Sequence, residues 1–340
     1  MPDVSSLFTI IITYLSILVH NLLDMITRSQ TRALALLNQT PSPSPSQTSS
    51  SSSSSKSTAS PSSKLKIKVQ IYADLHLEVS MRYASKSKSD IPALSPYLFL
   101  AGDIGSLILA SHRTPFQTWL EKQCKKFKYV VYVAGNHEFH GTVKAGETGV
   151  ETGIREMRRL ASLKSMGGRL VCLENERWDV PGRNVSILGC VLWSRLIPKQ
   201  IAVGRLGDLG SIAGTSIVKH NARFEISLKF IKEQVRVIRE EESNGGEERR
   251  IVVMTHYCPM SLAGTRPGNV LRGSWSNWQT DILDGEGVEG LRDGDAWVHG
   301  HTHFSHDSVH DGIRVIANSR GYDAEGEQRT RFEWEKVFEI

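Results

Sequence analysis

Cysteine is scarce in this chain of 340 residues, which has four of them: Cys124, Cys172, Cys190 and Cys258. They are widely spaced, and three stand inside apolar runs, where cysteine commonly serves as a small buried hydrophobic residue. This usage excludes a disulfide framework and a cysteine-rich structural zinc site. The pattern therefore predicts a reduced, intracellular protein.

The chain also lacks a concentrated basic stripe. Its 41 Lys and Arg residues stand against 36 Asp and Glu residues, which gives a formal net charge of +5 spread over a mixed surface. Charge therefore implies no nucleic-acid partner. With a hydrophobic content of 39%, the chain is long enough to bury a sizeable core in one large domain or two ordinary ones.

Acidic and basic residues are absent from residues 7–23, LFTIIITYLSILVHNLL. The segment approaches the length of a membrane span, so residues 1–40 are a candidate membrane anchor. An amphipathic interfacial helix or a misassigned start codon explains the segment as well, because polar residues dilute its hydrophobicity. If it spans a membrane, the arginines that follow place the main body in the cytoplasm. We expect an intracellular protein, either cytoplasmic or membrane-tethered.

Residues 41–64 form a low-complexity stretch of Ser, Pro and Thr that includes an unbroken serine run from Ser49 to Ser55. Such a stretch buries too little apolar surface to offset the entropy of ordering it. The composition predicts a disordered linker at 41–64 and a folded domain at 65–340.

The folded part repeats one pattern, an apolar run that in five of six cases leads into Asp, Asn or His. The six runs are KVQIYADLH, YLFLAGDIG, YVVYVAGNHEF, SILGCVLWS, IVVMTHYCP and AWVHGHTH. Between the fourth and fifth, residues 222–242 carry apolar residues at spacings of four and three, which predicts an amphipathic helix. Strands that alternate with helices indicate an α/β fold, whose ligands gather outside the carboxyl ends of the strands.

The ends of these runs supply residue types that bind divalent metal ions. The candidates are Asp74, His76, Asp103, Asn136, His256, His301 and His303. They offer mixed oxygen and nitrogen donors without thiolate, a set that suits two ions of Mn, Fe or Zn. Because alternate residues of an extended segment point the same way, Asp74 and His76 are expected to face one ion together, and so are His301 and His303.

Each of these signals has an ordinary structural explanation when it stands alone. Gly-Asp after a strand is usually a turn, and a single histidine such as His256 is more often a hydrogen-bonded core residue than a ligand. The combination carries more weight, since five such signals arrive in order at the ends of separate apolar runs.

Five short motifs resemble the signature blocks of the calcineurin-like metallophosphoesterase superfamily. They are DLH at 74–76, GDIG at 102–105, GNHE at 135–138, THY around His256 and GHTH at 300–303. LWS at 192–194 and NSRGY at 318–322 further resemble a subgroup of small phosphoesterases with a terminal N-x-R-G-Y block. The resemblance spans nearly all of residues 65–325 and implies a two-sheet β-sandwich flanked by helices, in four layers.

The resemblance also implies a ligand set. One ion would be held by Asp74, His76, Asp103 and His303, and the other by Asp103, Asn136, His256 and His301. His137 corresponds to the family's histidine that contacts the phosphoryl oxygen or protonates the leaving group, and Glu138 would orient His137 or a neighbour. Arg320 in NSRGY is either a pocket residue or a structural clamp.

The activity so implied is hydrolysis of a phosphomonoester or phosphodiester by a hydroxide that bridges two divalent ions. A small phosphate ester is the expected substrate, a nucleotide-like one among the candidates. GDIGSL lacks the Asp-Arg-Gly of protein serine/threonine phosphatases, which argues against a phosphoprotein substrate. The alternative is a catalytically silent scaffold for protein–protein interaction, although every ligand position is filled here.

Overall fold

The computed structural model describes residues 65–85, 89–197, 207–260, 280–326 and 330–340, all within the unit Thr58–Ile340. The candidate anchor at 7–23 and the linker at 41–64 lie outside these residues and stay predictions, which fractionation of cells with and without residues 1–40 tests. No helix in the described part of the chain is both long and apolar enough to cross a membrane.

Eleven strands are described, in two mixed sheets. In chain order they are β1 Lys68–Tyr72, β2 Tyr97–Ala101, β3 Tyr129–Val133, β4 Leu170–Cys172, β5 Glu176–Asp179, β6 Val185–Cys190, β7 Arg250–Thr255, β8 Ala296–His299, β9 His306–His310, β10 Ile313–Ala317 and β11 Phe338–Glu339. The first sheet has the order β11-β1-β2-β3-β4 and the second the order β5-β6-β7-β8-β10-β9. Strands β1 to β4 run parallel to one another, as do β6, β7, β8 and β10.

Four α-helices are described with these sheets: α1 Ala110–Lys126, α2 Gly149–Ser162, α3 Gly207–Ser211 and α4 Ile217–Ser243. Shorter helical turns lie at Val79–Ala84, His137–Phe139, Lys164–Met166 and Ile282–Glu286. Helix α4 contains the predicted amphipathic segment, and the five apolar residues of its predicted face are buried. The helix begins where the Ser216 side chain accepts a hydrogen bond from the backbone N–H of Lys219, which satisfies one of the unpaired donors of its first turn.

Two hydrophobic clusters give the layer order. One cluster joins alternate residues of both sheets, among them Val69, Phe99, Ile187 and Val252, so the sheets pack face to face. The outward faces of the sheets, with residues such as Tyr132, share the other cluster with the apolar sides of α1, α2 and α4. Because side chains alternate across a strand, each sheet packs against the other sheet with one face and against helices with its other face. The predicted α/β fold, a two-sheet sandwich flanked by helices, is confirmed.

His220 in α4 links this packing to pH. Burial lowers the pKa of His220 from 6.5 to about 4. Between these two pH values, His220 binds a proton in the unfolded chain but not in the folded chain. The folded state therefore loses stability relative to the unfolded state as the pH falls from 6.5 toward 4. We expect the free energy of unfolding to drop by about 2 kcal/mol between pH 7 and pH 5 through this residue.

Denaturant unfolding of the wild type and His220→Gln at both pH values measures this loss. Other buried histidines titrate in both proteins, so the difference between the two pH dependences isolates His220. Equal pH dependences would show that His220 gains a proton without cost in the folded state.

Candidate metal centre

The parallel strands bring the candidate ligands to one edge of the sandwich. Asp74, Asp103 and Asn136 follow β1, β2 and β3 of the first sheet, while His256 and the GHTH segment follow β7 and β8 of the second. Backbone hydrogen bonds tie these loops together, from Asp74 N–H to the Gly102 carbonyl at 3.0 Å and from Gly300 N–H to the His256 carbonyl at 3.0 Å. The site therefore draws on both sheets.

Five of the candidate ligands have left-handed backbone conformations. Their φ angles are 56° at Asp74, 47° at His76, 53° at Asp103, 67° at His301 and 50° at His303. Non-glycine residues adopt this region at a cost of order 1–3 kcal/mol each and do so most often at functional sites. The loops thus hold these side chains in place at the expense of backbone strain.

This conformation corrects one expectation. His301 and His303 do not face one group together as alternate residues of an extended segment would. His303 lies with Asp74 and His76, whereas His301 lies with Asp103 and His256. The division agrees with the ligand assignment that the family resemblance implies.

Glycine is required where the two sheets approach each other. A Cβ at Gly102, whose φ is +84°, would lie 2.4 Å from His256 Nδ1, and a Cβ at Gly135 would lie 2.2 Å from Asp103 Oδ1. Both distances are far shorter than a non-bonded contact allows. The glycines of GDIG and GNHE therefore let the ligand side chains of neighbouring loops come together.

The first group consists of Asp74, His76 and His303. His76 Nδ1 donates to Glu78 Oε1 at 3.0 Å and His303 Nδ1 donates to Glu325 Oε2 at 2.5 Å. With Nδ1 of each ring bound to a carboxylate, the two Nε2 atoms face each other and lie 3.1 Å apart. Two nitrogens bound to one Zn²⁺ at about 2.0–2.1 Å lie roughly 3.3 Å apart, so the pair fits a shared cation.

The second group consists of Asp103, His256 and His301, and Asn136 lies beside it. His256 Nδ1 donates to the Ala101 carbonyl at 2.9 Å, which directs its Nε2 toward the group. Asn136 Nδ2 donates to Asp208 Oδ1 at 2.9 Å, which turns Oδ1 of the amide toward His256 Nε2 at 3.0 Å. An imidazole nitrogen and an amide oxygen thus converge beside Asp103, and both are donor types that bind divalent cations.

Asp103 stands between the two groups. Its Oδ1 lies 3.4 Å from His256 Nε2 in the second group, and its Oδ2 lies 3.9 Å from His76 Nε2 in the first. Burial raises the pKa of this carboxyl group, but the nearby His256 and His137 hold it well below its usual range. The ionised carboxylate therefore offers one oxygen to each group.

His137 lies beside these groups with its ring partly exposed. Its Nδ1 is 3.3 Å from Glu78 Oε1, and its Nε2 is 3.1 Å from the Tyr322 hydroxyl and 4.0 Å from Asp103 Oδ2. Burial lowers the pKa of His137, but the carboxylates of Asp103 and Glu78 raise it to about 10. The ring can therefore hold a proton next to the convergent donors.

Several residues of the site carry no ligand signal in the sequence. Asp208 in α3 accepts hydrogen bonds from Asn136, from His140 Nε2 at 2.8 Å and from the Tyr257 hydroxyl at 3.0 Å. It stands in a short glycine-containing helix more than seventy residues from Asn136, so no spacing pattern reveals it. Tyr322 stacks on the His76 ring, with the two ring centroids 4.2 Å apart. Its place in the NSRGY motif is a sequence feature that could have pointed to it.

The rest of the NSRGY block is structural. Asn318 donates to the Ile71 and Glu333 carbonyls at 2.8 and 3.0 Å. Arg320 is 8% exposed and bonds the Leu75 carbonyl and Asp323, which makes it a clamp rather than a pocket residue.

Glu138 fixes the GDIG loop through hydrogen bonds to its backbone. Its carboxylate accepts the backbone N–H groups of Asp103, Ile104, Gly105 and Gly135 at 2.7–3.2 Å and the Tyr132 hydroxyl at 2.9 Å. No part of Glu138 is exposed. Glu138 thus orients a neighbour, the Asp103 backbone, rather than His137.

We expect Glu138→Ala to lower the free energy of unfolding by at least about 3 kcal/mol, because it leaves several buried N–H groups without an acceptor. Denaturant unfolding measures the change, with Glu151→Ala on the exposed face of α2 as the control. A loss no larger than that of the control would mean that water replaces the carboxylate.

Comparison with known proteins agrees with this geometry. Residues 67–305 match the family model described as calcineurin-like phosphoesterase. The uncharacterized protein L509 of Acanthamoeba polyphaga mimivirus is 24% identical over 284 residues, which are 74% of this chain and 90% of that protein. The phosphopantetheinyl hydrolase PptH of Mycobacterium tuberculosis has a similar fold, with a TM-score of 0.54 at 17% identity over 82% of this chain and 96% of that one.

The family model covers well over half of the chain, and the convergent lone pairs of histidine, carboxylate and amide groups fit divalent metal ions. The subgroup defined by the terminal N-x-R-G-Y block stays a prediction. The chain belongs to the calcineurin-like phosphoesterase family and is a metal-dependent phosphoester hydrolase.

Proposed function

We propose that this enzyme hydrolyses small phosphomonoesters or phosphodiesters at a centre for two divalent metal ions. The observation that carries the proposal is the position of Asp103, whose two carboxylate oxygens face two separate groups of donors. One ion would be held by Asp103 together with Asp74, His76 and His303. The other would be held by Asp103 together with Asn136, His256 and His301. Mn, Fe and Zn all suit these donors.

Two divalent ions so held supply a water of lowered pKa as the nucleophile and positive charge for the phosphoryl oxygens. The protein residues fix the geometry around them. Glu325, the Ala101 carbonyl and Asp208 orient His303, His256 and Asn136 by hydrogen bonds. Such support keeps ring and amide directions fixed and typically changes metal affinity by about 10–100-fold.

His137 is the proposed acid at the leaving group. Its side chain is partly exposed, its Nε2 lies 4.0 Å from Asp103 Oδ2, and its Nδ1 is held by Glu78. A proton on Nε2 would pass to the ester oxygen as the P–O bond breaks. The Tyr322 hydroxyl contacts the same nitrogen, so the departing oxygen has to share or replace that contact.

A metal-reconstituted activity screen tests the proposal. The panel contains p-nitrophenyl phosphate, bis(p-nitrophenyl) phosphate, a series of nucleotides and a phosphopantetheinyl ester, the last because the PptH structure is named for that group. We expect hydrolysis that needs added metal and stops on chelation, and the two nitrophenyl esters separate monoesterase from diesterase. Bound metal with no hydrolysis of any ester would favour the scaffold alternative.

A further inference from the structure

One carboxylate outside the proposed ligand set contacts two histidines of the site. Glu78 Oε1 lies 3.0 Å from His76 Nδ1 and 3.3 Å from His137 Nδ1. The side chain is 12% exposed, and its other oxygen is buried without a hydrogen-bond partner in the part of the chain described. The carboxylate is thus turned toward the two rings.

The backbone holds Glu78 in this position. The residue stands at the start of the turn Val79–Ala84, where Ser80 and Met81 have φ angles of 60° and 53°. Arg82 in that turn donates its N–H to the Leu77 carbonyl at 2.8 Å, and its guanidinium lies 2.8 Å from Asp323. The strained backbone and the contacts of Arg82 therefore hold the turn in place, and the turn directs the Glu78 carboxylate toward the two rings.

The contact has a chemical consequence for both rings. An ionised carboxylate only accepts hydrogen bonds, so each Nδ1 next to Glu78 carries the proton. Each ring then turns Nε2 away from Glu78. His76 Nε2 faces His303 Nε2 at 3.1 Å, and His137 Nε2 faces the Tyr322 hydroxyl at 3.1 Å.

We propose that Glu78 is a positioning residue that holds a proton on Nδ1 of His76 and of His137 and so sets the direction of both rings together. This inference rests on the proposed function, in which His76 binds a metal ion and His137 acts at the leaving group. A single oxygen then fixes the direction of a ligand and of the acid relative to it. The spacing between the metal centre and the proton donor is set by Glu78 rather than by two independent contacts.

The test uses full-length, zinc-loaded protein with histidine labelled by ¹⁵N. Long-range ¹H–¹⁵N spectra report which ring nitrogen of His137 carries the proton, and a chelator competition gives the zinc affinity. Assignment comes from the signal that is missing in His137→Gln. The variants are Glu78→Ala, which removes the acceptor, and Glu78→Gln, which keeps a carbonyl oxygen. Glu78→Met, of similar volume, replaces Glu78→Ala if that variant does not fold.

We expect Nδ1 of His137 to carry a proton in the wild type, held by Glu78, whatever the protonation of Nε2. Glu78→Ala should lose this fixed protonation and bind zinc about 10–100-fold more weakly, and Glu78→Gln should restore most of both properties. Unchanged protonation of His137 Nδ1 in Glu78→Ala, or a change in only one of the two properties, would overturn the proposal. Neither measurement needs hydrolysis, so an inactive wild type would refute the proposed function and leave this test intact.

A kinetic comparison separates positioning from a general loss of structure. Esters of phenol depend more on a proton donor than esters of p-nitrophenol, because phenolate is the poorer leaving group. If Glu78 acts through His137, Glu78→Ala should lower kcat for phenyl esters by a larger factor than for p-nitrophenyl esters. An equal loss for both esters in metal-saturated enzyme would show that Glu78 does not act through His137.

Discussion

Asp103→Asn is expected to lose both metal ions and to lower kcat/KM by roughly three orders of magnitude, since each ion contributes several kcal/mol of charge stabilisation. The substitution keeps the shape of the side chain, and Oδ1 can still accept the N–H of His137, a bond of 2.9 Å in the wild type. The amide group would then place an NH₂ donor toward His76 Nε2, where an ion needs a negative oxygen. Metal analysis after gel filtration and hydrolysis of bis(p-nitrophenyl) phosphate measure the two losses.

The control is Asp90→Asn, a surface aspartate that pairs with Lys122 and Lys126. It should keep the metal content and the turnover of the wild type. If Asp103→Asn retains two equivalents of metal and normal turnover, Asp103 does not bridge two ions, and the two donor groups serve separate purposes.

The central strands of the fold were predictable because their signals are local. Each of the six apolar runs contains one of the strands β1, β2, β3, β6, β7 and β8, and burial on both faces makes such strands nearly continuous in hydrophobicity. The edge strands were not predicted. β9 has alternating exposure, and β11 is two residues long, so their pairing depends on the neighbouring strand rather than on their own composition.

The ligand positions were predictable from strand ends, but their division between two groups was not predictable from spacing alone. Alternation assumes an extended backbone, whereas His301 and His303 both have positive φ. That conformation is set by contacts such as the one from His301 N–H to Asp74 Oδ1 at 3.0 Å, across 227 residues of sequence. Only the resemblance to a family gave the division.

The residues that support the ligands were the hardest to predict. Asp208 and Glu325 are acidic residues with no motif around them, and their roles arise from contacts with Asn136 and His303. Glu78 is closer to a readable signal, because it follows Asp74 and His76 at the same spacing of two. Alternation alone would have placed it as a third ligand, while the structure turns it toward the Nδ1 atoms of two rings.

His137 provides the second large effect, which separates chemistry from metal binding. We expect His137→Ala to keep its metal content and to lower kcat about 10²–10⁴-fold, the usual contribution of a positioned general acid. The loss should be greater for phenyl than for p-nitrophenyl esters, because the better leaving group needs less protonation. His310→Ala, which removes a histidine paired with Asp284 away from the ligands, should leave kcat unchanged.

The metal content and the leaving-group dependence of His137→Ala together identify the role of His137. His137 contacts Asp103 through its backbone N–H, and alanine keeps that N–H, so both ions should stay bound. A loss of metal in His137→Ala would make the ring a support of the centre rather than an acid. An equal loss for both esters with full metal content would instead assign His137 to binding of the phosphoryl oxygens, since that contact does not depend on the leaving group.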